Sequence, residues 1–338
     1  MLNQEKKIDS LPWLADIKGQ LSALLSAGKC SHALLVHGSK GTGRRQLALW
    51  LAETMLGVDP LRALRAASNE DSAGAGHPDL CIIQPLTDKK TQKTKKSIGI
   101  DQIRETLIDE FLHLTSHGNS GRLVVIWPAE SMTIDAANCL LKSLEEPPDG
   151  VFIVLVTESI RRLPATIISR CQRIRVPIPA REQALAWLEN EAPGADLGNL
   201  LDFAGGAPLA ALDLHLSGFA EKAGHYAEDL RGLEQRQLSP VEVAGRWQAN
   251  ADLALRWLDW RLSRRVRSCL EARSDMPSAE TGGTTLHAPA IQQTIHACFR
   301  QMAQIRELRR LLNGGINAEL SIAGLLMDWY GGIGRRQR

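Results

Sequence analysis

Two hydrophobic patterns alternate along the first 180 residues. Short apolar runs stand at 32–37, 80–83, 123–127 and 151–156. Runs of that length, polar only at their ends, predict strands of a sheet buried on both faces. Between them, apolar residues recur at helical spacing. Leu47, Trp50, Leu51 and Met55 share one face of a helix that stops at Gly57. Ile103, Leu107, Phe111 and Leu114 do the same over 101–116, with Gly118 beyond, and Ala136, Leu140, Leu141 and Leu144 over 133–145. Pro147-Pro148 ends the last of these, because proline lacks the N–H donor and restrains the residue before it. A mixed run at 172–176 predicts a final strand at a sheet edge. Strands alternating with helices argue for an α/β domain: a parallel sheet with helices on both faces.

After Pro177-Ile178-Pro179 no strand-like run occurs. Helical spacing covers about 180–192, 197–204, 207–216, 218–235, 239–272, 288–312 and 316–329. Segment 58–76, rich in Ala, Ser, Asn and Gly, reads as a loop or degenerate insert, and 274–285 as a loop. Five lysines within 89–96 read as a solvated loop, and 331–338 as a frayed tail. The expected organisation is an α/β domain over 1–177, a small helical domain over 178–216 and a helical C-terminal domain over 217–338.

The bulk numbers narrow the function classes. The 338 residues allow two or three domains, and 44% hydrophobic with 23% charged residues is ordinary for a globular protein. A net charge of +2 gives no argument for non-specific nucleic-acid binding. No run of 18 apolar residues is present, and the first residues lack the apolar core of a signal peptide, so a cytoplasmic protein without a membrane span is expected. Cys30, Cys81, Cys139, Cys171, Cys269 and Cys298 are scattered with no C-x-x-C pair, as expected of reduced thiols rather than disulfides or a zinc site.

The candidate chemistry lies just after the first strand. Gly38-Ser39-Lys40-Gly41-Thr42-Gly43-Arg44-Arg45 follows the phosphate-binding pattern G-x-x-x-x-G-K-[ST] up to its last two positions. Both glycines are in place between a strand and a helix. Arg44 stands for the lysine that reaches the β/γ-phosphates, and Arg45 for the hydroxyl that holds Mg²⁺. Arg44 keeps a positive charge but is bulkier and forked, and Arg45 adds a second cation where a metal should sit.

Two further phrases carry a resemblance. Asn138-Cys139-Leu140-Leu141-Lys142-Ser143-Leu144-Glu145-Glu146-Pro147-Pro148 is followed about 25 residues later by Leu163-Pro164-Ala165-Thr166-Ile167-Ile168-Ser169-Arg170-Cys171. In that order they resemble the signatures of the clamp-loader branch of the AAA+ family, by motif over residues 1–215. The resemblance implies an AAA+ P-loop-type sheet, a small helical lid and a helical C-terminal collar. It implies a pentameric loader that opens the ring-shaped β sliding clamp and places it on primed DNA as part of a replicative DNA polymerase assembly. Gamma/tau and delta clamp-loader subunits are the implied partners. In the family, the Ser-Arg-Cys arginine reaches a neighbour's ATP, which makes Arg170 an arginine finger acting in trans, with Ser169 and Cys171 as its context.

The departures concern ATP handling. The family's acidic strand ends in Asp-Glu, where this chain has Trp127-Pro128, with no carboxylate until Glu130. The lid arginine of a Gly-Ser-x-Arg phrase is replaced by leucine in Gly206-Ala207-Pro208-Leu209. The family's four-cysteine zinc module has no counterpart, because no cysteine lies between Cys30 and Cys81, although Gly76-His77-Pro78-Asp79 is kept. The implied subunit therefore hydrolyses no ATP by itself and holds no zinc. Two other functions compete: an active AAA+ ATPase with an atypical loop, and a DNA-binding regulator on the same fold. Trp127-Pro128 argues against the first, and the lack of a recognition module against the second. Arg161, Arg162, Arg173 and Arg175 form a basic cluster suited to an interface or a solvated surface. Glu145 and Glu146 read as structural or interface residues. Arg256, Arg261, Arg264, Arg265 and Arg267, with Trp257 and Trp260, suit either nucleic-acid binding or an amphipathic helix packed in an oligomer.

Overall fold

Five parallel strands form the centre of the first part of the chain: β1 (Ala33–His37), β2 (Leu80–Ile83), β3 (Arg122–Ile126), β4 (Val151–Thr157) and β5 (Gln172–Arg175). Their order in the sheet is β2-β3-β4-β1-β5. β1 lies between β4 and β5, with Leu35 level with Leu155 and Arg173. β5 is an edge strand, as its mixed sequence predicts. The computed structural model describes residues 11–57, 77–86, 95–112, 121–274, 287–312 and 314–334. The chain divides into two compact units, Met1–Asp213 and Leu214–Arg338.

Strand alternation sends one set of side chains to each face of the sheet. Leu35, Val124, Ile126, Ile153 and Leu155 meet Ile103, Leu107 and Phe111 and the inward residues Ala136, Leu140 and Leu144 of the helix Ile134–Glu145. The helix Arg44–Leu56 packs against β1, β3 and β4, with Leu47 and Leu51 fully buried. Central strands covered on both faces account for the unbroken apolar runs.

Several elements differ from the sequence-based expectation. The first helix, Ala15–Ser26, preceded by a 3-10 turn at Pro12–Leu14, is absent from it. β3 begins at Arg122 and ends at Ile126, which leaves Trp127 in the following turn. Arg122 is buried because its guanidinium donates to the Phe111 and Leu112 carbonyls. The helix expected over 101–116 is a short α-turn, Ile100–Gln102, continued by π winding over Ile103–Phe111. The Leu112 N–H accordingly bonds the Leu107 carbonyl, five residues back, at 2.8 Å. Leu114 and the expectations for 58–76, 89–94 and 275–285 fall outside the described residues.

The small helices Arg181–Glu191, Gly198–Phe203 and Pro208–Leu216 follow the sheet. The second unit contains Phe219–Glu234, Pro240–Trp247, Ala251–Ser274, His287–Leu312 and Ala318–Gly334. The single helix expected over 239–272 is two, separated by a 3-10 turn at Gln248–Asn250. The break lets the first piece pack on Ala318–Gly334 while the second pairs with His287–Leu312. Residues 331–334 continue the last helix rather than fraying.

Candidate functional site

The degenerate phosphate loop leaves β1 through Gly38, where a Cβ would run into the Val176 carbonyl oxygen. Gly41 and Gly43 have φ of 82° and 99°, left-handed values that favour glycine. A Cβ on Gly41 would stand 2.6 Å from the Ala210 backbone nitrogen, so the lid helix Pro208–Leu216 sits directly on the loop. Leu209 donates its N–H to the Gly41 carbonyl at 3.1 Å. From the other side, the Trp13 indole donates to the Thr42 carbonyl at 2.7 Å, and Trp13 packs edge-to-face on Trp187 of the lid. Thr42 is fully buried, its hydroxyl donating to the Ser39 carbonyl at 2.8 Å.

The two arginines that replace Lys and Ser/Thr turn inward. Arg44 is only 6% exposed, and its Nη2 donates to Glu158 Oε1 at 3.2 Å. Glu158 stands just past the end of β4, with its own N–H held by Glu130 Oε1 at 3.0 Å. Glu130, the first carboxylate after β3, is thus bonded to backbone. The Arg45 guanidinium lies over the Trp127 ring, 4.3 Å from its centroid. Burial brings the Arg45 pKa down to about 10 and still leaves it a cation near neutrality. A cation stacked on indole at this position opposes a divalent metal beside it by like-charge repulsion. Burial and then Arg175, Arg173 and Arg44 hold His37 below the usual histidine value, leaving its ring neutral near pH 7.

The Ser-Arg-Cys phrase has a different character. The short helix Ala165–Ile168 buries Ile167, and Cys171 is buried in the same core cluster. Burial raises the Cys171 thiol to about 11, which makes it an anchor rather than a nucleophile. Arg170, between these anchors, points the other way and is about a third exposed. Its Nε donates to Glu145 Oε1 at 2.6 Å, its Nη2 pairs with the same oxygen, and its Nη1 donates to the Thr166 carbonyl at 2.9 Å. Ser169 bonds the same carbonyl through its hydroxyl at 3.1 Å.

A family model described as DNA polymerase III, delta subunit, matches residues 14–179. DNA polymerase III subunit delta' of Pseudomonas aeruginosa is 33% identical over 264 residues, 75% of this chain and 76% of its own length. The Haemophilus influenzae protein of the same name is 27% identical over 92% of this chain and 94% of its own. The chain belongs to the delta-prime family of DNA polymerase III subunits. Among solved structures, a Thermotoga maritima protein described as DNA polymerase III, gamma subunit-related, is 24% identical, with a TM-score of 0.49 over 91% of this chain and 97% of that one.

The loop keeps its left-handed glycine turns at Gly41 and Gly43 between β1 and the helix Arg44–Leu56, with Arg44 on Glu158 and Arg45 on Trp127. Gly38, Gly43, Arg44, Arg45, Trp127 and Pro128 are brought together; Ser169, Arg170 and Cys171 form a separate group. Sequence reading missed Trp13, Glu158 and the Glu145 contact, because each acts on a residue distant along the chain. The N-terminal spacing of Trp13, Ile17, Leu21 and Leu24 is the signal that marks the missed helix. In the helical unit, Trp257 is buried against Tyr226 and Trp247, with centroids 5.6 and 6.3 Å away, so it offers no face to a base. Arg261 and Arg264 lie over Trp257 and Trp260. Trp257 is therefore a packing residue of its own unit. Among the described residues no His, Cys, Asp or Glu group could hold a metal, and no helix is long and apolar enough to cross a membrane.

Proposed function

We propose that this chain is a non-hydrolysing subunit of a cytoplasmic clamp loader that lends Arg170 to the ATP site of a neighbouring gamma/tau subunit. With gamma/tau and delta it forms the assembly that opens the β sliding clamp and places it on primed DNA. The observation that carries this reading is the contrast between the two groups of arginines. Arg44 and Arg45 face inward, onto Glu158 and Trp127, where a nucleotide and its metal would be handled. Arg170 is held at the surface. An arginine brought to a γ-phosphate from outside stabilises the charge that develops during transfer.

The isolated chain is expected to show no ATPase above background. Turnover that disappears in Arg44→Ala would instead support an active ATPase with an atypical loop. In an assembly with gamma/tau and delta, Arg170→Ala is expected to leave subunit association intact. Fingers contribute roughly 10³–10⁵ in rate at such sites. Only one site of several loses its finger, so total ATPase falls in part and clamp loading falls more steeply. Arg170→Lys restores little, since a point charge does not reproduce the planar fork. A mutant assembly that loads clamps at the wild-type rate sinks the reading. The chain is also expected to carry no zinc, for want of clustered thiolates and imidazoles; elemental analysis finding near one zinc per chain would refute that.

A further inference from the structure

Arg170 does not reach the surface alone. Glu145 is the last residue of the helix Ile134–Glu145, and Arg170 follows the short helix Ala165–Ile168. The two helices pack on one another, and their inward residues Leu140, Leu144 and Ile167 share one buried cluster. The core thus sets where the carboxylate stands relative to the guanidinium.

Guanidinium carries five N–H donors. Nε and Nη2 converge on Glu145 Oε1, and Nη1 donates to the Thr166 carbonyl, with a longer 3.4 Å contact to Ser169 Oγ. Glu145 takes the Nε/Nη2 edge and Thr166 the Nη1 end of the group. The outer Nη2 N–H and the weakly held Nη1 N–H remain as donors for an incoming oxyanion. The helix dipole gives Glu145 no reason to be there: a carboxylate at a helix C-terminus sits at the negative end. The adjacent carboxylate, Glu146, forms no ion pair with Arg170.

We propose that Glu145 is a positioning residue for Arg170: with the Thr166 carbonyl it fixes the guanidinium so that its outer edge is presented to a phosphate on a neighbouring subunit. The proposal rests on the reading of Arg170 as a finger. Its physical content is preorganisation. A long side chain free to rotate reaches the reacting geometry only part of the time, whereas one fastened at Nε, Nη1 and Nη2 is already placed.

The test uses the full assembly with gamma/tau, delta, clamp and primed DNA, and reads clamp-loading rate together with kcat and KM for ATP. Misplacing a reacting group by about 1 Å costs up to about a hundredfold, and because Thr166 still holds one edge, Glu145→Ala is expected to slow loading about tenfold. The ATP KM should not change. Glu145→Gln, which keeps an acceptor oxygen, should recover most of the rate, and Glu146→Ala should match wild type. In an Arg170→Ala background, Glu145→Ala should have no further effect. A wild-type rate for Glu145→Ala beside a slow Arg170→Ala overturns the positioning role and leaves the finger standing. A faster rate overturns it too, since the carboxylate would then be a restraint. Equal slowing in both backgrounds makes Glu145 merely structural. A wild-type rate for Arg170→Ala removes the finger itself, and this proposal with it. Should Glu145→Ala fail to assemble, Glu145→Asp decides: an intermediate rate supports the proposal and a wild-type rate overturns it.

Discussion

Removing either member of the Arg44–Glu158 pair should not have the same effect on stability. Arg44 is 6% exposed while Glu158 is 45% exposed. Glu158→Ala leaves a buried guanidinium without its carboxylate, whereas Arg44→Met replaces the cation with an apolar chain of similar length. Breaking a buried pair from one side costs about 3–5 kcal/mol, and replacing the buried charge by an apolar residue is often neutral. Because Glu158 is partly solvated, a loss of about 1–3 kcal/mol is expected for Glu158→Ala, with a smaller one for Arg44→Met. Urea unfolding of the two variants checks this, and an equal loss would contradict it. The example marks the limit of sequence reading at this scale. Arg44 and Arg45 stand in a linear pattern with known roles, so what is missing can be read directly. Glu158 is 114 residues away from Arg44 and belongs to no pattern, so what fills the space cannot.

Helices with caps and strands buried on both faces are the elements the sequence makes legible. β1, β2 and β4 stand within one residue of the apolar runs that predict them, because in a covered parallel sheet nearly every position must be apolar. The 3-10 break at Gln248–Asn250 was not legible, because the apolar spacing passes through it without a proline or glycine. Its upstream helix, by contrast, starts with a readable signal. Ser239 accepts from the Glu242 N–H, and the Glu242 side chain accepts from the Ser239 N–H, a reciprocal cap followed by Pro240. Ser239→Ala should lower stability by about 1 kcal/mol at neutral pH. The hydrogen bonds from the Ser239 backbone and side chain hold the Glu242 carboxyl below its usual value. The unfolded chain therefore takes up a proton at higher pH than the folded one. The contribution is complete above the ordinary carboxylate range and lost as pH falls through the lowered folded value. The gap between wild type and Glu242→Gln, followed by thermal unfolding from pH 7 to pH 3, should narrow toward acid. A gap that widens there would show the sign to be wrong.

At the scale of the whole molecule, each unit has its own internal logic. The first contains the sheet, its covering helices and the lid residues that fasten the loop. The second buries an aromatic cluster of Tyr226, Trp247 and Trp257, yet keeps large apolar side chains outside. Leu320 is 72% exposed, Phe299 53% and Met327 51%, with Val241, Leu270 and Leu311 also exposed. Scattered exposed leucines are ordinary, but several on the helices of one small unit suit contact with partner subunits. A chain ending after Leu216 retains the whole sheet and its core, and should unfold cooperatively on heating. It should also fail to co-elute with gamma/tau and delta in size exclusion, while the full chain joins them. Phe299→Ser with Leu320→Ser in the full chain should weaken that association without lowering the melting temperature, because neither side chain belongs to a core. Normal co-elution of the truncated chain would place the assembling surface in the first unit. The exposed apolar residues of the second unit would then need another explanation.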